Sequence, residues 1–173
     1  MLLIILTKNY PMNKKCIVLL LFLIFINSTF SQTKSTFDLN TYVNTISIEE
    51  LKEHLTIVAS DEMEGRDTGT EGQKKAGVYL INTYKNNGIS FPKGATDFYQ
   101  KVPSEFMNGL PDSENIWAFI EGSEKPEEIV VVSAHYDHIG IIDGEIYNGA
   151  DDDGSGTVAL LEIAQAFQEA KND

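Results

Sequence analysis

The sequence predicts an α/β protein, and three observations predict it. A run of β-branched and apolar residues, Ile129 to Ala134, delivers His135 and Asp137 to its own end. Three adjacent aspartates, Asp151 to Asp153, stand at the head of the apolar, helix-spaced stretch Thr157 to Ala170. Upstream, two helix signals are followed by two strand signals, in segments bounded by turn residues.

Taken in order, residues 1–31 read as a signal peptide. Lys14 and Lys15 precede the apolar run Ile17 to Ile26, and Thr29-Phe30-Ser31 offers a small-x-small cleavage site. The run is short for a membrane span, which leaves a signal anchor as the alternative. Met12 reads as the true start, with Met1 to Pro11 a mis-called extension. The expected product is residues 32–173, one domain, secreted or periplasmic. Cys16 is the only cysteine and leaves with the signal segment. That excludes disulfides and a cysteine nucleophile from the mature chain. The net charge is −13, and losing residues 1–31 removes Lys8, Lys14 and Lys15 but no acid. Such acidity argues against nucleic acid as a partner, and against membrane once the signal is cleaved. It suits a cation site or a substrate with a free amino group. Nothing in the sequence fixes the oligomeric state.

Thr33 to Asn44 is a polar lead-in. Ser47-Ile48-Glu49-Glu50 has capping-box form and opens a helix through about Ala59. Gly65 to Gly69 is a loop, in which Arg66 reads as a structural ion-pair residue rather than a substrate contact. Thr70-x-x-Gln73 caps a second helix that ends before Gly88, with Ala76, Leu80 and Thr83-Tyr84 on its inner face. Phe98 to Val102 and Asn115 to Ile120 read as antiparallel strands around the stretch Pro103 to Pro111. Trp117 and the phenylalanines are core by default. Glu127-Glu128 is a solvated approach to the next strand. Ile129 to Ala134 suits a central parallel strand covered on both faces. Gly140 to Asn148 is a loop closed by the Asn148-Gly149 turn. A helix begins near Ser155, with Val158, Leu161, Ala164 and either Ile163 or Phe167 at inward spacing.

The chemistry gathers at two of these places. In open α/β sheets ligands sit beyond the carboxyl ends of the strands. His135 and Asp137 are two residues apart and point to the same side if extended geometry continues. Asp137 is either the carboxylate that orients the histidine through its second ring nitrogen or a direct ligand. Three adjacent carboxylates repel one another. A helix N-terminus offsets part of that repulsion and a divalent cation far more. Imidazole plus carboxylate suits zinc, and manganese or cobalt could use the same ligands. Taken singly, the aspartates are an N-cap and a solvated turn, and His-x-Asp is a structural hydrogen bond. Their order, after this strand, favours the metal. His138 reads as an exposed loop histidine. Calcium is the rival, because Asp151 to Glu162 fits the EF-hand loop template, with Asp151, Asp153, Ser155 and Glu162 at ligand positions. The glycine-rich, β-branched segment before it is no entering helix, which argues against calcium.

Ala134-His135-Tyr136-Asp137-His138-Ile139-Gly140, followed by Asn148-Gly149-Ala150-Asp151-Asp152-Asp153-Gly154-Ser155-Gly156, resembles the zinc-dependent exopeptidase family. That family includes secreted bacterial leucyl aminopeptidases, plasma glutamate carboxypeptidase and the non-catalytic transferrin receptor. Leu55 to Thr70 looks like its N-terminal region. The resemblance implies a mixed sheet flanked by helices, truncated here after the first metal-ligand region. It implies that His135 is a ligand of one metal and Asp152 the carboxylate bridging two zinc ions. Asp137 becomes the supporting carboxylate behind His135, and a cis peptide follows Asp152. The family's glutamate pair and later acid and histidine would lie beyond Asp173. The implied activity is hydrolysis of N-terminal peptide bonds in a peptide or small-peptide substrate. A carboxypeptidase or dipeptidase on the same fold is the nearer alternative, and a non-catalytic remnant or binding module the more distant one.

Overall fold

The computed structural model describes residues 38–172. The segment read as a signal peptide, and Met12 as its start, lie outside the described residues.

A short helix α1, Leu39–Val43, is capped by Asp38. Helix α2, Ile48–Val58, follows. Ser47 caps it through Oγ, which accepts from the Glu50 N–H at 3.0 Å. Only half of the capping box forms. The Ser47 N–H donates to Glu162 Oε2 at 3.3 Å, so a distant helix supplies the acceptor that Glu50 would have given. Helix α3 is Glu71–Asn86. Thr70 precedes it, yet its hydroxyl turns back to Asp67 O at 2.6 Å and caps no helical N–H. The C-terminus ends on Gly88 at φ +70, where Ile89 N–H donates to Tyr84 O and Gly88 N–H to Lys85 O. That paired closure satisfies two otherwise orphaned carbonyls.

Strands β1, Tyr99–Val102, and β2, Ser113–Ile116, pair antiparallel with Tyr99 opposite Ile116. β3, Ile141–Ile142, and β4, Glu145–Ile146, form a small hairpin. Its turn is Asp143-Gly144, both at positive φ, as a two-residue hairpin whose twist matches its strands requires. This hairpin lies inside the stretch expected to be loop. Helix α4, Ser155–Asn172, closes the described chain.

The core joins α2, α3 and α4. Val58, Met63, Ala76, Leu80, Tyr136, Val158 and Leu161 form one buried cluster. Burying such side chains is worth roughly 1.5–3 kcal/mol each for Val or Leu. Tyr136 matters most for position. It is 8 % exposed, and its hydroxyl donates to Glu114 O at 2.8 Å. The residues on either side of it, His135 and Asp137, are thereby tied to the core.

The architecture is helices with small antiparallel sheets, consistent with an α/β peptidase fragment. Two expectations are corrected. Ile129 to Ala134 is not a buried strand: Ile129, Val130 and Val131 are 73 %, 85 % and 81 % exposed, and no ladder includes them. Among the described residues no neighbouring strand or covering helix reaches this run, and β propensity without a partner forms no sheet. The phenylalanines are not uniformly core, since Phe98 is buried while Phe106 and Phe167 stand in solvent. Phe167 therefore faces outward on α4, where Glu162 and Ala166 take inner positions.

Candidate metal centre

The segment Asp61–Arg66 is the scaffold of the site. Glu64, Gly65 and Arg66 are consecutive left-handed residues, at φ +53, +66 and +52. Such φ values cost a residue with a side chain roughly 1–2 kcal/mol each. At Gly65 a side chain is also barred by space, because a Cβ there would meet Gly140 O at 2.5 Å and Tyr147 O at 2.6 Å. The turn aims Arg66 into the interior, where it is fully buried. Its guanidinium donates to Tyr136 O at 2.8 Å, Val58 O at 2.6 Å, Asn148 O at 2.7 Å and Gly149 O at 2.9 Å. Burial pulls its pKa down and the charge of Asp137 pushes back. The expectation of an ion-pair residue is thus corrected to a carbonyl clamp, which joins the histidine segment to the loop leading into the aspartates. Backbone bonds reinforce it: His138 N–H donates to Arg66 O, and Gly140 N–H to Gly65 O, both at 3.0 Å.

His135 and Asp152 are brought together. His135 Nε2 lies 3.1 Å from Asp152 Oδ1. On the other side of the ring, Nδ1 lies 3.3 Å from Asp137 Oδ1 and 3.1 Å from the Asp137 carbonyl. Asp137 is therefore behind the histidine and Asp152 in front of it. Burial works against the imidazolium. The Asp137 carbonyl and carboxylate, Asp153 and Asp152 outweigh it, and the pKa of His135 is raised. The Asp152–Asp153 peptide is cis. Asp153 turns to structural work, with Oδ1 accepting from Gly156 N–H at 3.1 Å and Oδ2 from His135 N–H at 3.3 Å. Asp151 points to solvent, and its carbonyl accepts from the Ser155 hydroxyl at 3.1 Å.

Three residues of the site carried no functional reading in the sequence. The Thr68 hydroxyl donates to Asp137 Oδ2 at 2.5 Å. Thr157, one turn into α4, donates to His135 O at 2.8 Å. His138 is not an exposed loop histidine: its side chain is 13 % exposed and Nδ1 lies 3.8 Å from Asp152 Oδ2. The ring rests on Gly149, at φ +54, where a Cβ would meet His138 Cγ at 2.5 Å. The adjacency of His138 to the His-x-Asp pair was the available signal for it. Nothing in local spacing pointed to Thr68, which is 69 residues from its partner.

Zinc fits these donors in kind, as one imidazole nitrogen and one carboxylate oxygen converge with a second carboxylate orienting the ring. It falls short in number. Among the described residues no group of three or more His, Cys, Asp or Glu side chains is placed to hold a metal ion, whereas a zinc site takes three or four protein ligands. The calcium wrap is absent. Glu162 is buried under α2 and accepts from Ser47 N–H, while Asp153 accepts from Gly156 N–H. Asp67, Thr68, His135, Asp137, His138 and Asp152 line an open depression.

The described residues thus set a histidine against a helix-start aspartate, with a second carboxylate at the far side of the ring. Residues 115–173, about a third of the chain, match the family described as Peptidase family M28. The resemblance drawn from the motifs agrees with that match. Peptidases of this family are generally zinc-dependent. The chain is also similar to a vacuolar membrane protease of Paracoccidioides brasiliensis strain Pb03, 34% identical over 92 residues, covering 52% of this chain and 9% of that protein. A vacuolar membrane protease of Emericella nidulans is 30% identical over 106 residues, covering 60% of this chain and 10% of that protein. The chain thus spans about a tenth of the length of the curated relatives it matches. No solved structure matches. The expected secreted or periplasmic location is corrected by these names, since proteases of a vacuolar membrane point away from a freely released product. Among the described residues no helix is long and apolar enough to cross a membrane.

Proposed function

We propose that this chain contributes one half of a two-zinc exopeptidase site of the aminopeptidase type. One observation carries the reading: His135 Nε2 and Asp152 Oδ1 face each other at 3.1 Å while Asp137 sits against the far ring nitrogen. His135 and Asp152 would hold metal, with Asp152 the bridging carboxylate. The metal would polarise the amide carbonyl of a peptide substrate and supply an ionised water. Asp137 holds the histidine ring in orientation. Asp153 and Thr157 fix the backbone of His135 from the N–H and carbonyl sides. A substrate amino terminus suits the acidic surroundings of the depression. The second reading, a non-catalytic binding module of the same fold, is favoured by a single observation: two donors converge here where zinc takes three or four.

Zinc titration of the 173-residue chain, followed by calorimetry and by aminoacyl-nitroanilide hydrolysis, tests the proposal. Zinc should bind weakly and without turnover, and Asp152→Ala should abolish that binding. Zinc affinity unchanged by Asp152→Ala would refute the assignment of the ligands. Turnover that Asp152→Ala removes would mean that the donors within this chain already complete a site.

A further inference from the structure

The Asp137 carboxylate has two oxygens with different partners. Oδ1 lies against His135 Nδ1, and Oδ2 accepts the Thr68 hydroxyl at 2.5 Å. Thr68 follows directly on the clamp turn, and its own N–H is held by Asp67 Oδ1 at 2.8 Å. Arg66, two residues earlier, binds the carbonyl of Tyr136, one residue before Asp137. The two chain segments are thus pinned in register at that point, and the Asp67–His138 bridge extends the pairing. Thr68 and Asp137 thus lie within two residues of the buried bond between Arg66 and Tyr136 O.

This arrangement matters because His135 has acceptors on both sides, Asp137 at Nδ1 and Asp152 at Nε2. A neutral imidazole has one N–H to give. If it goes to Asp152, Nε2 cannot take a metal. If it goes to Asp137, Nε2 presents its lone pair. At Nδ1 both the Asp137 carbonyl, at 3.1 Å, and its carboxylate, at 3.3 Å, can accept; the carboxylate's share rests on how well it is aimed, and a carboxylate free to rotate about its χ2 aims poorly.

We propose that Thr68 is a positioning residue of the metal centre: its hydroxyl locks the Asp137 carboxylate against His135 Nδ1 and so selects the tautomer that leaves Nε2 free for metal. The assignment rests on the metallopeptidase reading for its purpose, but its physical content is testable without metal. It makes Thr68–Asp137–His135–Asp152 a single relay of orientation, with the outermost member supplied by the segment that follows the left-handed turn.

The test is ¹⁵N NMR of the ring nitrogens in the metal-free 173-residue chain, at a pH where imidazole is neutral. The chain has 3 histidines, so His135 can be assigned by its loss in His135→Asn. In the wild type the Nδ1–H tautomer should dominate. Thr68→Val, which keeps the shape and removes the hydroxyl, should move His135 toward Nε2–H, and Thr68→Ser should restore the wild-type ratio. Should Thr68→Val fail to fold, Thr68→Ala carries the same readout. Zinc affinity should fall about tenfold in Thr68→Val, the lower end of the effect of such outer partners, and recover in Thr68→Ser. A wild-type tautomer ratio in the folded hydroxyl-free variant overturns the proposal. If zinc leaves the His135 ring nitrogens unperturbed in the wild type while the tautomer follows the hydroxyl, the metal reading fails and the positioning by Thr68 stands.

Discussion

Glu162 is a buried acid outside the site. It is 2 % exposed, and its Oε1 has no hydrogen-bond partner. His54 Nε2 approaches that oxygen at 3.6 Å, close enough for charge but too far for a hydrogen bond. Burial raises the carboxyl pKa above its ordinary 4.5, Ser47 N–H and His54 pull it back, and Glu50 adds to the rise. A carboxyl whose pKa is raised by folding contributes its stability in the protonated form. That contribution is full below the unfolded value and lost as pH climbs through the folded one. Glu162→Gln should therefore gain on the wild type as pH rises from about 4 to 7, by urea melts at each pH. A stability difference independent of pH would show that the burial is compensated. Sequence reading had given this glutamate only one role, as the last ligand of a calcium loop. A buried acid on an apolar helix face announces nothing in spacing, because its partners sit in α2, 115 residues away for Ser47.

At the scale of elements, the caps divide into those made locally and those made by tertiary structure. Ser47 does both, since its hydroxyl caps α2 and its N–H reaches α4. Ser47→Ala should cost about 1 kcal/mol from the lost cap, read as a lowered urea midpoint with unchanged slope. An unaltered midpoint would mean that the N–H bond to Glu162 suffices to start the helix. The helices were legible in sequence because their signals are local: Ser47, Gly88 and the spacing of Ala76 and Leu80 need no distant partner. The β1–β2 pair was legible for the same reason. The hairpin at Asp143-Gly144 was hidden in a stretch whose glycines read as loop. The run Ile129 to Ala134 misled for the opposite reason, since strand propensity is realised only against a neighbour. In the site, His135, Asp137 and Asp152 were nameable from motif alone. Thr68, Thr157, His138 and the clamp by Arg66 were not, because each is defined by a contact across the fold.

At the scale of the whole molecule, Arg66 holds three otherwise separate pieces of chain together. Replacing it with methionine would keep much of the volume and leave four buried carbonyls without their donor. Hydrogen bonds to a charged group are worth about 1.5–3 kcal/mol each, so Arg66→Met should lose about 3 kcal/mol or more in equilibrium denaturation. A loss below about 1 kcal/mol would show that water replaces the guanidinium.

The same clamp orders events in time. Its bonds join residues 8, 70, 82 and 83 positions apart, and three of the four close large loops. Closing such loops costs entropy before any bond rewards it, so contacts this remote form after the helical ones. The helices α2, α3 and α4 can meet first through Val58, Leu80 and Leu161, leaving the histidine and aspartate segments unjoined. In rate measurements on Arg66→Met, the stability loss should then fall on the unfolding limb, with the folding limb scarcely moved. Slowed folding instead would place the clamp in the nucleus. On this route the protein acquires its shape before its chemistry: the pairing of His135 with Asp152 is among the last things the chain completes, and the first it gives up.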